Sequence, residues 1–287
     1  MEVQLINLDT NISLVFDSQN FILNEIIHDN CVVQHNTSKT IKQIGEYVKS
    51  TNVNSRTINI TGTAIGQSEL DLSNKKQILL NLTSPFSSLQ VILDNKFSLV
   101  GKCQSLVKWG IGHSNNNRFF IKFSIDILAP DTLWYALEPT IVSLSPYVNE
   151  FKFPISIPKH GFIYGHKDDN VLTNIYNECN VPIPMKFTIT SLATIQNPEI
   201  IRVQDGKKLK INTILQPGDV LTISTEFGNK SVLLNGQNII SNFDFQISSW
   251  LMLNPGLNTF TYSCVNEKLK GNLNITITYK QAYWGVF

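Results

Sequence analysis

The chain has 287 residues, with 42% hydrophobic and 16% charged residues and a formal net charge of +1. That length can bury one large or two ordinary cores without staples. The near-zero charge gives no electrostatic case for binding nucleic acid or an anionic membrane. Four cysteines, Cys31, Cys103, Cys179 and Cys264, lie far apart with no CxxC pair, so a disulfide framework is not expected. The opening MEVQLINLDTNI has neither the basic start nor the apolar stretch of a secretory signal, and no run reaches the length of a membrane span.

In chain order, the dominant signal is alternation with a period of two. Ile58 and Ile60 open it. A break follows at Ser68–Ser84, where Leu72, Ile78, Leu79 and Leu82 fall at helical spacing. Ser68 stands three residues before Asp71, and Pro85 follows the last turn. This predicts a capped amphipathic helix over about 69–83 that covers a sheet. Asn115-Asn116-Asn117 reads as a hairpin tip. Then Phe119, Ile121, Phe123, Ile125 and Ile127 point one way and Lys122, Ser124 and Asp126 the other. Pro139, Pro146, Pro154 and Pro158 are too closely spaced for a central strand and mark a boundary near residues 138–150. Alternation resumes at Met185, Phe187 and Ile189, at Leu221 and Ile223, and at Leu273, Ile275, Ile277 and Tyr279.

Turn chemistry punctuates the last third. Proline presets φ in Pro217-Gly218 and Pro255-Gly256, and glycine supplies the positive φ of a type II turn. Asn235-Gly236 is a two-residue hairpin tip. One face buried and one wet is the mark of stacked antiparallel sheets. The expectation is therefore all-β with one amphipathic helix. Residues 1–138 form a β-sandwich bearing the helix, and residues 150–287 form a second β-sandwich.

Few residues suggest chemistry. Cys31 and His35 (CVVQH) have the spacing of half a zinc site, but no second half-site matches. His160 and His166, near Asp168 and Asp169 in HGFIYGHKDD, could seat a metal or pair a histidine with a carboxylate; turns use the same residues. Cys264 reads as a small buried residue at the end of a strand. GxSxG, HExxH, P-loop and GxGxxG motifs are absent from the sequence. Trp109, Trp250, Tyr283, Trp284 and Phe287 could line a sugar-binding face, or could be core or interface aromatics. No catalytic, cofactor-binding or metal-ligating residue is assigned, no cofactor is expected, and the chain is not expected to be an enzyme.

The motif order carries a resemblance. RTINITGTAIG leads into the helix, followed by SPFSSLQVIL and RFFIKFSIDILAPDTLW. Then come FPISIP, VPIPMKFTI, Asn197-Pro198, PGDVLTIS, NGQN, SSWLMLNPGLNTFTY and a closing ITY with YWGVF. In this order the chain resembles the phage distal tail protein family of long-tailed phages. The resemblance implies an N-terminal ring-forming β-sandwich with a helix and a galectin-like C-terminal β-sandwich. It implies a hexameric ring serving as a hub at the virion tail tip, assembled in the bacterial host cytoplasm. The implied partners are other copies of the chain, the tail tube protein, the tape-measure protein and a tail-associated lysin or baseplate protein. Sequence-specific nucleic acid binding and membrane insertion are not implied. The other reading is a carbohydrate-binding β-sandwich adhesin of the host-recognition apparatus.

Overall fold

The computed structural model describes residues 1–17, 19–42, 44–144, 147–149, 165–167 and 172–286. It divides into two compact units, Met1–Leu137 with Tyr283–Phe287, and Glu138–Ala282.

The first unit contains β1 (Val3–Asn7), β2 (Ser13–Val15), β3 (Phe21–Ser38), β4 (Tyr47–Ile65), α1 (Glu69–Leu82), β5 (Leu89–Leu93), β6 (Phe97–Cys103), β7 (Lys108–Trp109), β8 (Phe120–Ala129) and β9 (Trp134–Ala136). The strands follow the order β2-β1-β5-β6-β8-β4-β3, with β9 beside β6 and β7 beside β8. β6 turns the corner. Its residues 97–101 pair with β5, and Lys102 and Cys103 pair with β8. Gly101 stands at the switch, where a Cβ would meet the Leu128 carbonyl oxygen at 2.6 Å. Only a residue without a side chain lets the two backbones come that close. The core holds Ile58, Ile60, Ile121, Phe123, Ile125 and Ile127.

Two details of this unit depart from the sequence reading. Phe119 is 58% exposed and lies before β8, because the Asn117 side chain accepts from the backbone N–H groups of Phe119 and Phe120 and delays the strand. The helix begins and ends within a residue of expectation. Ser68 caps Asp71 N–H at 3.1 Å, and Asp71 accepts from Gln67 N–H at 2.9 Å. Ile78, however, faces outward, while Leu72, Leu79 and Leu82 are buried. On the helix's inner side, Lys75 donates to the Ile65 carbonyl (2.6 Å) and to Asn20 (3.0 Å).

The second unit stacks a six-stranded sheet on a four-stranded one. The larger runs Thr140–Ser143, Leu273–Tyr279, Lys186–Ser191, Val220–Ser224, Ser231–Leu234, Gln237–Asn238; the smaller runs Thr173–Asn177, Gly256–Ser263, Glu199–Arg202, Lys208–Lys210. Phe187 from one meets Phe260 from the other edge-on, ring centroids 6.5 Å apart. The turns have the geometry their residues demand. Gly218 has φ +89° and Asp219 N–H reaches the Gln216 carbonyl, as a type II turn requires. Asn235 and Gly236 have φ of +50° and +83°, the two positive values of a type I′ hairpin. Arg202, 4% exposed, is held by both Asp205 oxygens (3.0 and 2.6 Å) and by the Met252 carbonyl.

Residues 283–287 group with the first unit, whereas the sequence reading kept them in the second sandwich. The reason is a long-range strand pairing: Ala282–Tyr283 pairs with β9.

Candidate functional site

The reactive side chains that the structure describes sit in ordinary hydrogen-bonded or packed surroundings. Cys31 and His35 lie on β3, but Cys31 contacts the Asn54 carbonyl at 3.8 Å and His35 Nδ1 is 3.0 Å from Thr51 Oγ1. Among the described residues, no three His, Cys, Asp or Glu side chains cluster as metal ligands would. His160, Asp168 and Asp169 lie outside the described residues; His166 falls in the strand Gly165–Lys167, which pairs with Tyr147–Asn149.

Among the described residues, the five carboxyl groups with clearly displaced ionisation, Asp17, Asp71, Asp126, Asp205 and Asp219, are all displaced downward. Each is held as the anion by donors: the Asn20 N–H for Asp17, Gln67 N–H for Asp71, Lys108 for Asp126, the Arg202 guanidinium for Asp205 (to about 2) and the Asn235 amide for Asp219. A general acid needs the opposite displacement. Burial pushes the Cys103 thiol up to about 11 and raises Cys264 as well, so both are protonated near neutrality.

Three of the five aromatic residues considered for a sugar face, Trp109, Trp250 and Tyr283, are engaged in packing. Trp109 and Tyr283 are partly buried against the first core. Trp250 stacks on Phe243 at 4.4 Å and 11°, with Lys230 Nζ 5.6 Å from its ring centre. Trp284 is 39% exposed, and Phe287 lies outside the described residues. On the six-stranded sheet, Ser143, Thr276, Thr188 and Thr222 align in one cross-strand row. That row offers short hydroxyls and no ring for a sugar to stack on.

The feature the cores leave unexplained is the outer half of the β3–β4 hairpin. β4 pairs with β8 only from Arg56 to Ile65. Beyond that point, among the described residues, 33–38 and 47–53 pair solely with each other and project as a two-stranded arm roughly 20 Å long. Four register shifts interrupt β3, between Leu23/Glu25, Ile27/Asn30, Cys31/Val33 and Asn36/Thr37, and each adds local twist. Val32, Val33, Tyr47, Val48 and Val53 are exposed along the arm. At its tip Ile41 and Ile44 are 91% and 101% exposed, with Lys39, Lys42 and Lys49 against a single Glu46. A lone two-stranded ribbon is marginal in water, and apolar residues on such a ribbon are a contact surface. Period-two sequence reasoning missed this arm, because alternation looks the same on a ribbon with no third layer.

Two family models match the sequence. One, the siphovirus-type tail component, C-terminal domain, covers residues 178–283; the other, the phage tail protein RIFT-related domain, covers residues 11–105. No curated protein matches the chain. Among solved structures, the crystal structure of SPP1 Dit (gp 19.1) protein, described as a paradigm of hub adsorption apparatus in Gram-positive infecting phages, is similar over 98% of this chain and 99% of its own, with TM-score 0.69 and 13% identity. The phage P2 baseplate in its activated conformation with Ca contains a chain similar over 99% of both lengths, with TM-score 0.55 and 13% identity. The strontium form of the p2 baseplate matches with the same TM-score of 0.55. At such identity the structural likeness speaks for the fold, and the two sequence matches, one in each half of the chain and in the family's order, speak for kinship. The chain belongs to the phage distal tail protein family.

Proposed function

We propose that this protein is a non-enzymatic structural component of the phage tail tip, a hexameric hub ring that joins the tail tube to the baseplate or tail-associated lysin and the receptor-binding proteins. The observation that carries the reading is the pair of tail-component matches in order, on a fold similar over its whole length to a hub protein. The arm supports it. A closed ring needs a heterologous contact, one surface of a subunit meeting a different surface of the next. A projecting ribbon with apolar residues is one half of such a contact, and the first unit makes the ring. The tape-measure protein and the tube protein are the further partners of this reading, and the site of action is the virion tail tip.

Purified protein should have a hexamer mass by light scattering and give annuli with a central hole in negative-stain micrographs. A species that stays monomeric at tens of micromolar overturns the reading. The sugar-binding reading predicts a saturable change in tryptophan fluorescence on adding cell-wall polysaccharide. The packed face of Trp250 makes a flat titration the expected result.

A further inference from the structure

The first unit is not closed by its own stretch of sequence. β9 lies beside β6 on one side, and on the other it is paired by Ala282–Tyr283, from far along the chain. Three more contacts follow within the next residues. The Tyr283 ring meets Phe97 of β6 edge-on, centroids 5.2 Å apart at 80°. The Trp284 carbonyl accepts from Arg56 Nη2. Val286, 4% exposed, is part of the first core with Ile58, Ile60 and Trp134.

Arg56 shows why this segment is more than an appended tail. It is 2% exposed on β4, and its other donors reach the His28 carbonyl at 2.7 Å and the Thr132 carbonyl at 2.8 Å. A buried guanidinium must have its N–H groups accepted, because desolvating a cation without acceptors is costly. One of its acceptors here comes from residue 284, so β4, the turn before β9 and the returning segment are tied at one point. Between residue 137 and residue 283 the chain builds the whole second unit.

We propose that residues 282–286 are a strap that completes the first unit, so that this unit becomes fully ordered only after the second has been made. On the hub reading, which this consequence rests on, the strap works as a length check. A chain cut short anywhere in the second unit carries an unfinished first unit and is kept out of the ring.

The test is backbone hydrogen exchange on the full chain, on a variant lacking residues 282–287, and on the point variants Val286→Ala, Val286→Asp and Trp284→Ala. Deletion and V286D should speed exchange in β6, β8 and β9 by about 10- to 100-fold, and V286A by a smaller factor in the same strands. Exchange in Lys186–Ser191 and Val220–Ser224 should stay at the full-chain rate. Trp284→Ala keeps its carbonyl and should leave all strands unchanged within about 2-fold. Full protection of β6 and β9 in the deletion and in V286D overturns the strap, and so does equal loosening of both units. A full chain that never forms rings counts against the hub reading and leaves the strap standing.

Discussion

The two halves of one hairpin make the sharpest contrast in this molecule. In the inner half, Ile58, Ile60 and Ala64 of β4 are fully buried and β8 closes the ladder. In the outer half the same two strands continue with no third strand among the described residues, and Val32, Val33, Tyr47 and Val48 meet solvent. The backbone is equally extended in both, so strand formation does not distinguish them. What differs is who supplies the second layer: this chain for the inner half, and, on the hub reading, another copy for the arm.

Substitutions can break that contrast, starting with the largest effect. Ile60→Asp places an unpaired carboxylate in the first core and should unfold the first unit. The milder Phe123→Ala should cost about 4 kcal/mol in chemical denaturation. Gly101→Ala drives a methyl toward the Leu128 carbonyl at the strand switch and should cost about 2 kcal/mol or more, read as a lower melting temperature.

Asp126 gives a smaller effect with a pH signature. It accepts from Asn59 and Lys108, each at 2.6 Å, and Lys108, then Asn59, holds its pKa below the ordinary value. A group depressed in the folded state stabilises at and above its unfolded pKa, and that contribution is lost as pH falls below about 4. Asp126→Asn should cost about 1 kcal/mol at neutral pH and flatten the acid limb of the stability curve. Last, Ile41→Ser with Ile44→Ser should leave subunit stability within about 0.5 kcal/mol, because both side chains are already solvated. The same pair should weaken ring association by about 10-fold or more in sedimentation, and unchanged association would remove the arm from the contact.

Much of this was legible from local pattern. Phe123, Ile125 and Ile127 announced one buried face and Phe187 and Ile189 another, and Pro217-Gly218 and Asn235-Gly236 fixed their turns, because period and φ are set by a few neighbouring residues. The helix was legible from Ser68, Asp71 and Pro85, yet Ile78 was misplaced, since its orientation depends on what lies opposite. Phe119 failed for a local reason, an asparagine side chain that outcompeted the ladder. The arm and the returning segment had no local signature. One needs to know that β8 stops at Arg56, and the other that residues 283 and 97 meet. As for the assembly surface, alternation reports that one side of a strand is apolar and is silent on whether its cover belongs to the same molecule.

The register shifts along β3 bear on the subunit's life before assembly. A free strand of 18 residues with one unpaired edge invites identical chains to stack without limit, as in cross-β fibrils. Here no uninterrupted stretch of regular pairing exceeds four residues, Val33–Asn36 being the longest. Fibril-forming segments need six or seven, so each twist spoils the template before a runaway stack can begin. On the hub reading, a pool of subunits can therefore build up with the apolar ribbon uncovered until a neighbouring copy whose shape follows the same twists covers it.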